Sequence, residues 1–218
     1  MPSAVILANG QFPRKEYPLY LLKEAERIVC CDGAFAKYLK AMERVFGKTR
    51  LPDRVIGDLD SLPSSLREKY SSIITHIEEQ DHNDQTKALR YILGTWPEVD
   101  TVHILGATGL RADHTVGNLS LLMEYPRLFD LGERSIDMVS DYGTAFALTD
   151  TCTLEVGQGR KVSLFSPDNT LRICSTGLQW PTDGVVFDNW WKATLNRATQ
   201  DEITLTFSHP SRALLILD

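Results

Sequence analysis

No apolar run in the 218 residues approaches the ~20 needed to cross a bilayer, which excludes a membrane-spanning helix. Basic residues are in deficit, with 23 Lys and Arg against 29 Asp and Glu, a net charge of -6. A surface that grips nucleic acid through positive charge is therefore not expected, and the modest negative charge reads as ordinary solubility. Cysteines are few, and Cys30, Cys31, Cys152 and Cys174 form no CxxC pair. That argues against structural zinc and for reduced, buried thiols in a cytoplasmic protein. His76, His82, His103 and His209 show no metal-ligand spacing either. The opening MPSAVILANGQ lacks a basic n-region and a sufficient apolar core, so no secretory signal is expected. Neither GxGxxG nor GxxxxGK[ST] occurs, so the two standard nucleotide-binding loops are absent.

What is present is alternation. Short apolar runs at 4–8, 27–32, 54–57, 73–78 and 101–106 read as strands. Amphipathic stretches near 19–26, 34–45, 63–70, 84–94 and 114–124 read as helices between and after them. Continuous apolar strands alternating with helices predict a parallel sheet covered on both faces. Beyond about Asp141 the texture changes to short β-rich pieces (TAFALT, CTLEV, KVSLFS, TLRICS, GVVFD, EITLTF, ALLIL) separated by turn compositions such as GQG, PDN and PTDG. The expected fold class is thus α/β, an N-terminal Rossmann-like parallel-sheet domain at 1–142 with a C-terminal all-β sandwich domain at 143–218.

Polar residues gather where the predicted strands end: Asn9 and Gly10, Asp32 and Gly33, Gly57 with Asp58 and Asp60, Asp81 with Asp84, and Gly106 to Asp113. Ligands of open α/β sheets bind at the carboxyl ends of strands, so this edge is the expected site. Each residue also has a purely structural reading. Asp84 can serve as an N-terminal helix charge paired with Lys87, Asp113 can cap the following helix, and His114 reads as a local partner of Asn118. Recurrence of acids at one rim favours a site. In GDLDS, residues 57–61, the paired carboxylates suit Mg²⁺, which takes hard oxygen ligands and shares them with substrate phosphates. Gly57 permits close backbone approach. The loop GATGLRADH, 106–114, offers backbone N–H groups and a helix N-terminus to anions, with Arg111 as a phosphate grip.

The ordered set of motifs resembles the thiamine pyrophosphokinase family. DGA (32–34) follows the second strand, GDLDS looks like that family's GDxDS, and DHNDQTKAL (81–89) is similar to its D-x-T-D-x-x-K-A-L. Asn83 stands where threonine is usual. GATGLRADHTVGNLSLL (106–122) looks like its G-x-x-G-x-R-x-D-H-x-x-x-N-x-x-L-L block, and STGLQW (175–180) like its T-G-L-x-W. TLN (194–196) places Leu195 where the family tends to have serine. The resemblance implies pyrophosphate transfer from ATP to thiamine with Mg²⁺, in a homodimer whose sites are shared between subunits. It implies Asp58, Asp60, Asp81 and Asp84 around Mg²⁺ and phosphates, and Asp113 orienting or deprotonating the hydroxyl. Asp32, Gly33, Gly57, Lys87, Gly106, Arg111 and Asn118 would serve ATP. Trp180, Thr194 and Asn196 would hold thiamine, with Trp190 and Trp191 as nearby alternatives of which at least one is expected to pack in the core. Two rivals remain: a Mg-dependent nucleotidyl or glycosyl transferase resting on the DxD, and a non-catalytic thiamine- or nucleotide-sensing module.

Overall fold

A computed structural model describes residues 2–218. Among them the chain forms two compact units, one comprising the described chain up to Asn118 with Leu131–Asp141, the other Leu119–Asp130 with Tyr142–Asp218.

The first unit carries six parallel strands: β1 (Ser3–Leu7), β2 (Arg27–Cys31), β3 (Arg54–Gly57), β4 (Ile74–His76), β5 (Thr101–Leu105) and β6 (Ser135–Ser140). Their order is β6-β5-β1-β2-β3-β4. Helices α1 (Glu16–Glu24), α2 (Ala34–Phe46), α3 (Ser64–Lys69) and α4 (Asp84–Thr95) connect successive strands, and α5 (Ala112–Leu128) follows β5. Strands β1, β2, β3 and β5 are largely buried on both faces, as the continuous runs predict, whereas β4 at the sheet edge is only half-buried. Val5, Ile28 and Val55 pack with Phe35 and Tyr38 of α2 on one side, and Ala4, Ile6, Val29, Ile56, Val102 and Ile104 are fully buried as well. Gly47, at φ 66°, ends α2 in the left-handed conformation that glycine adopts without strain. Because the chain crosses from the β4 edge back to β5 beside β1, the sheet has its topological switch between β1 and β5. The loops after those two strands diverge there and leave a crevice.

The second unit has two antiparallel sheets. One is ordered β7 (Gly143–Leu148), β13 (Ala213–Leu217), β9 (Lys161–Phe165), β11 (Ala193–Arg197), the other β10 (Ile173–Thr176), β12 (Glu202–Phe207), β8 (Cys152–Glu155). Val162, Leu164 and Leu215 from the first sheet share a core with Ile173, Ile203 and Leu205 from the second. This is the sandwich that the short β-rich pieces and turn compositions predict.

Three details differ from the sequence reading. GVVFD is not a strand: Thr182 bonds back to Ile173 and Ser175, Val185 N–H closes a turn on Thr182, and Phe187 plugs the core from an irregular segment. Strands β6 and β11 were not anticipated. The first alternates polar and apolar residues too briefly to read as a buried strand, and the second is a polar stretch broken by a register shift between Ala193 and Asn196. Cys30 and Cys31 are buried, with burial pushing both thiols up, but Cys152 is half-buried and Cys174 exposed.

Candidate active site

A cleft of about 380 Å³ opens at the switch point. It is walled by Asn9 and Gly10 after β1, Asp32 after β2, Ser61 after β3, Asn83 and Asp84 at the start of α4, and the segment from Ala107 to Asn118 after β5. Parallel strands deliver all these loops to one edge. The helices that leave them point their N-termini, and hence their unpaired N–H groups, toward the same space.

Acid collects beside it. Asp32, Asp58 and Asp84 each bring a carboxylate oxygen within 4.8 Å of the other two. Local structure holds each in place. Asp32 sits at the αL-like φ of 33°, is 4% exposed, and accepts the Ser61 N–H at 2.8 Å. Its other oxygen, Oδ1, is buried with no hydrogen-bond partner among the described residues. Asp58 accepts the Asp60 N–H at 3.2 Å and Gln80 Nε2 at 3.4 Å, which hold its carboxyl below the usual range. Leu59, at φ 67°, makes the turn that lets Asp60 N–H reach back. Burial pushes the Asp84 carboxyl up to about 6; Lys87 opposes this, and Asp58 and Asp32 add to it. Lys87, 2% exposed, lies 3.6 Å from Asp84 and donates to Ile77 O at 3.1 Å. Gly57 is required by contact: a Cβ there would fall 2.9 Å from Asp84 Oδ2 and 2.9 Å from the Asp32 Cβ.

Three converging carboxylates, a buried oxygen lacking a partner and an acid raised toward neutrality form an arrangement that a divalent cation completes. The donor set is hard oxygen only, as Mg²⁺ requires. Asp60 and Asp81 are exposed in the loops after β3 and β4 and lie outside this triad. The resemblance implies that Asp32 serves ATP; its carboxylate converges with those of Asp58 and Asp84.

On the other wall, Gly33 caps α2. Gly106 begins the β5 loop at φ 67°, where Gly10 N–H donates to its carbonyl at 2.6 Å. Arg111 forks onto the Asp113 carboxylate and holds it down at about 2. His114 lines the cleft, and Asn118 does not engage it: its amide bonds Asn83 and Ala107. Two contributors were given no role by the sequence. Asn83 caps α4, accepting Thr86 N–H at 3.0 Å, and Lys37 of α2 donates to the Asn9 and Gly10 carbonyls at 2.7 and 2.8 Å. A lysine pinning two loop carbonyls leaves no pattern in one dimension, whereas Asn83 precedes an apolar helix at N-cap spacing and was legible in principle.

In the β-rich unit, Asn196 is 5% exposed and fully engaged. Its Oδ1 accepts Trp180 N–H at 3.1 Å and Arg197 N–H at 2.8 Å, and its Nδ2 donates to Trp180 O at 2.6 Å. Thr194 donates to Trp191 O. Trp180, Trp190 and Trp191 are 55%, 47% and 68% exposed, so neither alternative to Trp180 is buried; Trp190 meets Phe165 edge-on.

Comparison with known proteins decides what this arrangement belongs to. The family model described as thiamin pyrophosphokinase, catalytic domain, matches residues 19–130, and that described as its substrate-binding domain matches residues 143–210. The chain belongs to the thiamin pyrophosphokinase family. Family membership makes it an ATP-dependent thiamine diphosphokinase, as the motifs imply. Thiamine pyrophosphokinase 3 of Oryza sativa subsp. japonica is 27% identical over 204 residues, covering 83% of this chain and 73% of the rice protein. The fold matches thiamine pyrophosphokinase from Bacillus subtilis with a TM-score of 0.76, at 19% identity over 99% of this chain and 98% of that one. Yeast thiamin pyrophosphokinase matches with a TM-score of 0.74, at 19% identity over 99% and 86%. Such distant sequences sharing both units speak for the architecture. The pyrophosphokinase activity rests on the family match, and it displaces the transferase and sensor readings.

Proposed function

We propose that the switch-point cleft takes the phosphates of ATP, with Asp32, Asp58 and Asp84 holding Mg²⁺, and that thiamine is presented by Trp180 and its supports. The observation that carries this reading is the three-carboxylate cluster with its buried unpartnered Asp32 oxygen. When bound, Mg²⁺ offsets phosphate charge and fixes the polyphosphate. Asp60 and Asp81, exposed in the adjoining loops, add acid to the metal–phosphate region, and Lys87 keeps the cluster from excess negative charge.

In the reaction the primary hydroxyl of thiamine gives up its proton to solvent as its oxygen bonds to the β-phosphorus, the bond from that phosphorus to the α-phosphate oxygen breaks, and AMP departs. The chain's own residues position and stabilise; little covalent work falls to them. Glycines 33, 57 and 106 let the loops that frame the nucleotide pack closely on Asn9, on Asp32 and Asp84, and on Ala8, and Arg111 and the α5 N-terminus meet phosphate. A carboxylate held near 2 by Arg111 is a weak proton acceptor, so Asp113 suits orienting the hydroxyl by a hydrogen bond. Trp180 offers an exposed ring face to the cationic thiazolium, and Asn196 and Thr194 secure the backbone around it. The exposed Trp180, Trp190, Trp191 and Leu195 side chains support a homodimer that covers them, and the cytoplasm is the proposed location.

Calorimetric titration with a non-hydrolysable ATP analogue tests the cleft. Binding should require Mg²⁺, and Asp58→Asn should weaken it by about tenfold to a hundredfold with the fold intact. Unchanged affinity in Asp58→Asn would remove the acids from the nucleotide site.

A further inference from the structure

Two walls of the cleft are joined by a run of side-chain hydrogen bonds whose direction is fixed at both ends. At one end Asn83 Oδ1 accepts Thr86 N–H at 3.0 Å and Thr86 Oγ1 at 2.9 Å. A backbone N–H can only donate, so Oδ1 must face α4 and Nδ2 must face away. That Nδ2 donates to Asn118 Oδ1 at 3.0 Å. Asn118 then has only its Nδ2 left, and this donates to Ala107 O at 2.8 Å, a carbonyl that can only accept. Reversing either amide would set donor against donor or acceptor against acceptor at two places. The order Thr86, Asn83, Asn118, Ala107 is therefore unique.

The relay ties together two parts with separate duties. Asn83 is the N-cap of α4, which carries Asp84 and Lys87. Ala107 belongs to the β5 loop, already fastened on its β1 side where Gly10 N–H meets Gly106 O and Gln11 N–H meets Thr108 O. The carbonyl between those two anchors is the one that Asn118 takes. The loop's conformation is otherwise expensive for most residues, with Gly106 at φ 67° and Gly109 at φ 94°.

We propose that Asn83 is a positioning residue which, through Asn118, locks the β5 loop in register with the acid-bearing helix, so that the phosphate-facing N–H groups and the Asp84 carboxylate are preset for one nucleotide pose. This rests on reading the cleft as the ATP site. Asn83 has the reach because its amide spans from the cap to α5. A serine caps equally well but ends one atom pair short, with no second group to donate.

Asn83→Ser, Asn118→Ala and the double variant test it. In the ligand-free protein, amide exchange at residues 106–111 should quicken roughly two- to tenfold in Asn83→Ser, the worth of one neutral hydrogen bond, while α4 stays protected and the melting temperature falls by no more than a few degrees. KM for Mg-ATP should rise by about the same factor, with KM for thiamine and kcat little changed. The double variant should be no worse than Asn118→Ala alone, because both single changes cut one chain. Unaltered loop exchange in Asn83→Ser, or penalties that add in the double variant, would overturn the proposal. Should Asn83→Ser fail to fold, Asn83→Asp keeps the cap oxygen and lacks the donor, and the same exchange result decides. Exchange is read without nucleotide, so failure of wild-type protein to bind Mg-ATP would sink the ATP reading of the cleft and leave the relay to be judged on its own.

Discussion

Replacing Asp84 with asparagine isolates the electrostatic load of the acidic cluster. The Asp84 carboxyl is raised from 3.8 to about 6: burial raises it, Lys87 pulls it down, and Asp58 and Asp32 push it up again. A displacement of that size corresponds to about 3 kcal/mol between the two protonation states at most. The side chain is 27% exposed, and solvent screening reduces this to about 1–2 kcal/mol. The sign follows from linkage. A carboxyl raised in the folded state is held protonated there, so its stabilisation is complete below 3.8 and is lost as pH rises through about 6. Asparagine is neutral throughout and loses nothing. In EDTA, urea denaturation should find the two proteins close at about pH 4 and Asp84→Asn the more stable by about 1–2 kcal/mol at about pH 8. With Mg²⁺ held by the three acids as proposed, adding it should reverse the ranking, because a ligand of the native cluster alone stabilises that state. Parallel stability curves for the two proteins across that range would refute the claim that Asp84 is ionised against resistance.

Other outcomes follow from the same geometry. Gly57→Ala places a methyl 2.9 Å from Asp84 Oδ2 and should part the acids, raising KM for Mg-ATP by about tenfold or more; an unchanged KM in steady-state assays would contradict the contact argument. Asn196→Ala leaves the Trp180 N–H and carbonyl without their partner and should cost about 1–3 kcal/mol in urea denaturation while raising KM for thiamine; a wild-type KM would detach Asn196 from substrate binding. If subunits share sites, mixing Asp58→Asn with Trp180→Ala homodimers, each nearly inactive, should restore roughly a quarter of wild-type activity, because half the dimers carry one intact site of two. No recovery, with mixing confirmed by native mass spectrometry, would show that each site is built within one chain.

Much of the fold was legible because its signals are local. Continuous apolar runs such as AVIL and RIVCC can be satisfied only by strands covered on both faces, and β1, β2, β3 and β5 are largely buried in this way. The sixth strand, SIDMVS, has its Asp137 bonded to His103 of the neighbouring strand at 2.8 Å, a polar pairing that periodicity does not register. Strand β11 escaped for a related reason: Leu195 is 80% exposed at φ 59°, so its only large apolar residue points away from the core. In the cleft, the residue types were readable and the partners were not. GDLDS announced acid at a strand end, but which carboxylates converge depends on neighbouring strands, and Asp32 arrives from β2 while Asp60 turns to solvent. The orientation of Asn118 toward Ala107 is a tertiary fact of the same kind.

Chromatography of the spent nucleotide from a reaction of ATP, thiamine and Mg²⁺ tests the central claim most directly. Attack at the β-phosphorus predicts AMP and thiamine diphosphate in equal amounts. Stoichiometric ADP with thiamine monophosphate would place the attack at the γ-phosphorus and contradict the account.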